Sequence, residues 1–261
     1  MVKKILYALA ALALVVFIIA VRFFFSNTPF TEKSRDLLIH TGKTSKEDVI
    51  KSIEENNLVR NPASFSFLAS QMDVWEKIKP GKYKIEKGMS LFKIARILRN
   101  GSQSPVNLVI TKLRTKENLA SLIGKKFESD SLQFMQFLNN PDSLKKYDLD
   151  TNTVMTAIFP NTYTYLWTTQ PDGIFKKLFA EYKKVWNEDR RKKADTLSLT
   201  PATAYTLASI IEEETTNDKE KGLMASVYLN RLNRGIALRA DPTFKFALRN
   251  FALKRIYEKH L

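Results

Sequence analysis

Apolar positions recur at helical spacing along most of the chain, and several of these stretches open on a hydroxyl residue. After Gly42-Lys43-Thr44-Ser45 come Val49, Ile50 and Ile53. After Gly88-Met89-Ser90 come Leu91, Ile94, Ile97 and Leu98, and after Arg114-Thr115 come Leu119, Leu122 and Ile123. Apolar residues at such offsets mark one face of an α-helix, and a serine or threonine just ahead of them supplies the N-cap. Asn100-Gly101 closes the second of these helices with residues that tolerate a left-handed backbone. Between the first two, Lys79-Pro80-Gly81 is a turn feeding an alternating strand through Ile85, and Val106 to Ile110 reads as another strand. Farther on, Ile158-Phe159-Pro160-Asn161-Thr162-Tyr163 is a proline-containing turn between apolar segments. The residues Ile174, Phe175, Leu178, Phe179, Tyr182, Val185 and Trp186 predict an amphipathic helix, with the charge run Glu188 to Lys193 as its solvated end.

The amino end breaks this amphipathic rule. Ile5 to Val21 is an unbroken apolar run, continued by Phe23, Phe24 and Phe25 after a lone Arg22. That length approaches the ~20 residues needed to cross a bilayer. Lys3 and Lys4 precede it, which favours an amino end retained in the cytoplasm. A cleaved signal peptide is the competing reading, but the run is long and no small-x-small site follows it. The expectation is a signal anchor over residues 5–25, with 1–4 as a cytoplasmic tail and the rest outside the inner membrane.

Charge then matters. The chain carries 42 Lys+Arg against 27 Asp+Glu, a formal net charge of +15. Such a balance suits an anionic partner, and an extracytoplasmic position removes nucleic acid while leaving lipid headgroups or an anionic wall polymer. The absence of cysteine excludes disulfides, thiolate catalysis and Cys-based zinc sites. With only His40 and His260, neither a His-based triad nor a multi-His metal centre is expected.

The richest chemistry lies between Thr200 and Thr243. Thr200-Pro201 is a helix start, with a hydroxyl at the N-cap and a proline where no N–H is needed. Leu207, Ile210 and Ile211 share one face, and the next position on that face is Glu214; Glu212 and Glu213 fall farther round, where water is available. Desolvation disfavours a charged carboxyl group, by as much as ~3–5 pKa units at full burial. A glutamate kept neutral near pH 7 can act as a general acid on a poor leaving group. Spacing alone equally allows Glu214 to end its helix in water or beside a lysine. A second helix follows, with Asn217 and Glu220 placed as in a capping box and Gly235 as its stop. Its stripe holds Met224, Val227, Tyr228 and Arg231, the last either snorkelling or functional. Asp241-Pro242-Thr243 reads as a turn with Asp241 able to bond backbone N–H groups.

The blocks Ala208-Ser209-Ile210-Ile211-Glu212-Glu213-Glu214-Thr215, Ala225-Ser226-Val227-Tyr228-Leu229-Asn230-Arg231-Leu232 and Leu238-Arg239-Ala240-Asp241-Pro242-Thr243 together resemble the YceG-like family, the endolytic murein (peptidoglycan) transglycosylases. Three linked blocks in order are a specific signal. The resemblance implies a catalytic glutamate in the E-x-E element, Glu214 by the apolar stripe or Glu212 as second choice, with Asn230, Arg231, Asp241, Thr243 and Tyr163 as substrate-binding candidates. It implies cleavage of the β-1,4 MurNAc-GlcNAc bond of peptidoglycan glycan strands to 1,6-anhydroMurNAc ends, with no metal or organic cofactor and with penicillin-binding synthases as partners.

The expected fold class is α+β: the transmembrane helix, a small LysM-like α+β module within 30–125, and a mixed α/β catalytic region over 126–261. The LysM-like resemblance covers Pro80 to Ile110 and would make Tyr83 a glycan contact; the plainer reading is a small core with its aromatics inside. Two departures stand out. The P-E-G-x-T-like element after the second strand reads Thr111-Lys112-Leu113-Arg114-Thr115, and the sequence ends at Leu261, short of the tyrosine- and glycine/proline-rich segments of the family. The catalytic region is therefore expected to be incomplete, and the alternative function is a non-catalytic peptidoglycan-binding or scaffold protein acting with cell-wall synthases.

Overall fold

The strand predicted after Pro80 is β2 (Gly81–Glu86), and it pairs antiparallel with a strand that the sequence pattern does not announce, β1 (Ser34–Ile39). Leu37 lies opposite Tyr83, Ile39 opposite Gly81 and Arg35 opposite Ile85. Side chains alternate across a strand, so this register sends Leu37, Ile39, Tyr83 and Ile85 to one face, where all four are buried. The fold is that of a computed structural model, which describes residues 28–253 together with 7, 9, 11–15, 17, 18 and 256. The apolar run at 5–25 lies largely outside the described residues, and among these no helix is long and apolar enough to cross a membrane.

Contacts divide this mixed α/β chain into two units. One comprises residues 1–108, 124–129 and 164–170; the other comprises 109–123, 130–163 and 171–261. The division is thus interleaved, whereas the sequence led us to expect one boundary near residue 125.

In the first unit, α1 (Lys46–Glu55), α2 (Pro62–Gln71), α3 (Val74–Lys77) and α4 (Leu91–Arg99) join the ribbon in one core. Ser45 and Ser90 cap α1 and α4 as predicted, accepting from the N–H groups of Asp48 and Lys93. Gly101 takes a φ of 62° where α4 stops. Helix α2 is announced only by Asn61-Pro62, a side-chain cap followed by a proline at the first turn. Tyr83 is fully buried and its hydroxyl donates to the Lys79 carbonyl, so it is a core residue and not a glycan contact. The two returning segments are tied in by Glu128, which accepts from the Thr41 N–H and hydroxyl at 2.6 Å each, and whose own N–H donates to the Trp167 carbonyl. Tyr165 and Trp167 are buried beside Phe127 and His40.

The remaining strands, β3 (Val106–Ile110) and β4 (Asn161–Tyr165), form a second two-stranded sheet. The second unit is mostly helical: α5 (Lys116–Gly124), α6 (Ser131–Asn139), α7 (Pro141–Lys145), α8 (Pro171–Val185), α9 (Glu188–Thr196), α10 (Pro201–Glu214), α11 (Asp218–Asn233) and α12 (Asp241–Ala247). The buried stripe of α8 is Ile174, Phe175 and Leu178. The charge run after it is a separate exposed helix, α9, because Asn187 caps a new start by accepting from the Arg190 N–H. Helix α10 is moored at its amino half: the Tyr205 hydroxyl donates to the Ile158 carbonyl at 2.8 Å, and its ring meets Phe159 edge-on.

Phe65 has no exposed surface, whereas Phe92 is 46% exposed on the same unit. Phe65→Ala is expected to lower the unfolding free energy by about 3–5 kcal/mol and Phe92→Ala by less than about 0.5 kcal/mol, measured by urea unfolding followed by circular dichroism.

Candidate active site

Helix α10 begins as its sequence dictates. The Thr200 hydroxyl accepts from the Thr203 N–H, the Thr203 hydroxyl accepts from the Thr200 N–H, and Pro201 fills the first turn. Leu207 and Ile211 are buried against Tyr228 of α11 and Ala240, with Ile210, Met224, Ala225, Leu229 and Leu238 closing round them. The three sequence blocks singled out above therefore share one small core. Helix α11 ends at Gly235, whose φ is 66°: the Gly235 N–H donates to the Leu232 carbonyl and the Ile236 N–H to the Arg231 carbonyl, a Schellman stop.

The last turn of α10 carries Glu212, Glu213 and Glu214, and no basic residue. Each carboxylate has a different partner. Glu212 is ion-paired to Lys221 at 2.6 Å. Glu213 receives two parallel bonds from the Arg114 guanidinium, 3.0 Å each, and the Lys112 ammonium at 2.7 Å. Glu214 accepts from the Tyr228 hydroxyl at 2.9 Å, and among the described residues no ion pair is formed by it. It is half-buried. The apolar stripe thus shields one side of this carboxyl and leaves another open, short of the full desolvation that the spacing could have allowed.

Arg114 holds the Glu213 carboxyl below the usual glutamate value, the guanidinium outweighing the opposing effect of burial. Glu212 and Glu213 are both exposed, as the helical angle implied, and Glu213 meets its cations at the surface. Burial first, then the Glu214 carboxylate, pushes the Tyr228 hydroxyl up to about 12, so it remains a proton donor across the physiological range. Arg231 and Asp241 also act on Tyr228, with opposite signs. One residue from each block (Glu214, Arg231 and Asp241) is thereby close enough to act electrostatically on the same phenol.

The other candidates occupy plainer positions. Asn230 is exposed on α11. Arg231 uses its Nε to hold the Ala237 carbonyl at 3.1 Å, bracing the loop beyond the Schellman stop. Asp241-Pro242-Thr243 is the first turn of α12 and not an isolated turn; Thr243 donates to the Ala240 carbonyl at 2.6 Å and Asp241 is exposed. Tyr163 is a correction: it is buried, its hydroxyl donates to the Phe159 carbonyl, and burial followed by Glu181 pushes it up to about 12. Only 5% of its surface is exposed. Three contributors were not foreseen, namely Tyr228 as a hydroxyl donor and Lys112 and Arg114 as cations. The only advance signal for the latter two was a pair of basic residues at alternate positions after β3. Arg114 also borders an open groove of about 490 Å³, lined with Thr115, Glu117, Asn118, Arg249 and Phe251.

Tyr228→Phe removes one bond to a carboxylate and should cost about 1–2 kcal/mol, against about 3–5 kcal/mol for Tyr228→Ala, both read from urea unfolding. The Glu213 carboxyl sits lower in the folded chain than in the unfolded one, so its contribution is complete above about pH 4.3 and is lost as pH falls through the lowered value. In Glu213→Gln, the drop in urea midpoint between pH 7 and pH 3 should be smaller than in the wild type.

The YceG-like family model matches residues 37–261. A protein of Bacillus subtilis (strain 168) named endolytic murein transglycosylase is 24% identical over 222 residues, covering 78% of this chain and 61% of its own length. A protein of the same name from Streptococcus pneumoniae (strain ATCC BAA-255 / R6) is 23% identical over 235 residues, covering 77% and 41%. This chain therefore spans less than two thirds of the length of either. A crystal structure of a YceG-like protein from Listeria monocytogenes has the same fold, with a TM-score of 0.55 at 23% identity over 88% of this chain and 80% of the other. With a model match over most of its length and all three sequence blocks in one small core, the chain belongs to the YceG-like family.

Proposed function

We propose that this protein is a membrane-anchored endolytic murein transglycosylase that cuts the β-1,4 bond between N-acetylmuramic acid and N-acetylglucosamine, with Glu214 as general acid and base. The observation that carries this reading is the difference among three adjacent carboxylates: among the described residues, two are paired with cations and Glu214 is held by a hydroxyl. A carboxylate in an ion pair is held in its charged form by the partner's charge; one that accepts from a phenol is not held by a cation. The names of the relatives from Bacillus subtilis and Streptococcus pneumoniae support the reaction class.

The protonated Glu214 gives its proton to the glycosidic oxygen as the C1–O bond breaks. Its carboxylate then accepts the proton of the muramyl 6-hydroxyl, whose oxygen bonds to C1 and closes the 1,6-anhydro ring. The nucleophile is internal to the sugar, so the second carboxylate of ordinary glycoside hydrolysis has no part to play. This economy agrees with Glu212 and Glu213 being committed to Lys221, Lys112 and Arg114. The apolar run at residues 5–25 would hold the domain against the inner membrane, beside newly made strands and the penicillin-binding synthases that make them.

Incubation of the full chain with purified sacculi should release anhydromuropeptides. Glu214→Gln should lower that release by about 10²–10⁴-fold, while Glu212→Gln should retain most of it. Retention on sacculi without release by the wild type would instead favour a wall-binding scaffold.

A further inference from the structure

The end of α10 poses an electrostatic problem. A helix carboxyl terminus bears the negative end of the backbone dipole, and three consecutive carboxylates there add like charge. No basic residue of the helix's own last turn offsets them. The compensation comes from elsewhere in the chain: Lys221 for Glu212, and Lys112 with Arg114, 99 residues away in sequence, for Glu213.

We infer that Arg114, assisted by Lys112, is a positioning residue for the proposed acid: it fixes the turn that carries Glu214 and cancels the charge of the neighbouring Glu213. This rests on Glu214 being the acid. The geometry is that of a fixed clamp. Nε and Nη2 of Arg114 each bond a different Glu213 oxygen at 3.0 Å, the planar fork matching the carboxylate. The central carbon of the same guanidinium lies over the Phe251 ring, 5.2 Å from its centroid, so the fork is restrained from a second direction. Glu213 and Glu214 share a peptide group, so a rotation of the terminal turn that frees one displaces the other. Displacements of about 1 Å at a proton donor are costly for catalysis.

Among the described residues, helix α11 supplies Tyr228, Arg231, the Lys221–Asp218 pair and Glu220, which accepts from the Thr215 hydroxyl; Asp241 opens α12; Lys112 and Arg114 come from the segment after β3. Removing Arg114 leaves Lys112 alone against Glu213 and exposes the acid to more negative charge. An added negative charge favours the protonated form of a neighbouring carboxyl group. The alkaline limb of the activity profile then moves to higher pH even as misplacement lowers the rate.

The test measures anhydromuropeptide release from sacculi by the full chain as a function of pH. Arg114→Ala should lose about tenfold or more in rate and shift the alkaline limb upward by about 0.5 pH unit. Arg114→Ala/Glu213→Gln should return the limb to the wild-type position, and Arg114→Lys should recover the limb but only part of the rate, having charge without the fork. Wild-type rate and profile in a folded Arg114→Ala chain would overturn the inference, as would a double variant whose limb stays shifted. If Arg114→Ala does not fold, Arg114→Lys decides, because an undiminished rate there denies any need for the fork. A wild-type chain without activity, or an active Glu214→Gln, defeats the catalytic reading itself and is told apart from failure of the clamp by those two samples alone.

Discussion

The contact of Tyr228 with α10 is the constraint on which the candidate site depends. Its ring is buried with Leu207, Ile211 and Ala240, and its hydroxyl reaches the carboxyl of Glu214. A phenylalanine could fill the core but could not bond the acid, and a serine could bond but could not fill. Burial of the ring fixes where the hydroxyl lies, so core packing and the hydrogen bond are one constraint. The loop to α12 follows from the same element, because the Schellman stop of α11 and the Arg231 side chain together carry the backbone on to Ala237 and the Asp241 turn.

Charge is distributed around this core in a way composition does not reveal. An excess of cations over anions invites a reading in terms of distant anionic partners, yet Lys112, Arg114 and Lys221 are spent on a local anion cluster. Three glutamates in succession at a helix end are unfavourable in isolation, and they stand here because the surrounding chain supplies cations for two of them. The third, among the described residues, is held by the Tyr228 hydroxyl instead.

Helix starts were legible wherever the cap chemistry was local. Ser45, Ser90, Thr115 and Thr200 all precede helices, since a hydroxyl and the N–H group three residues on need nothing from elsewhere in the chain. β1 was not legible, because only Leu37 and Ile39 of its six residues turn inward and its register is set by β2. The convergence of the three blocks could be inferred from the resemblance, and the half-buried position of Glu214 from its stripe. The Arg114–Glu213 clamp could not, since a pairing across 99 residues leaves no periodicity to read. Tyr163 misled for a related reason: an aromatic beside a proline turn looks the same in sequence whether it faces a groove or the core.

The partners of the three glutamates also separate two demands that one carboxylate cannot meet together. Tying the end of α10 to Arg114 and Lys112 calls for a carboxylate that stays charged, and Glu213 in its guanidinium fork is suited to that. Exchanging a proton calls for a carboxyl whose charged and neutral forms are both tolerated. A hydroxyl partner provides this, since a phenol can donate to a carboxylate and can also accept from a carboxylic acid. With Glu213 taking the structural task, the chemical one is assigned to Glu214 in the proposed function. Their adjacency is what lets a clamp built far away in sequence act on the proposed acid without touching it.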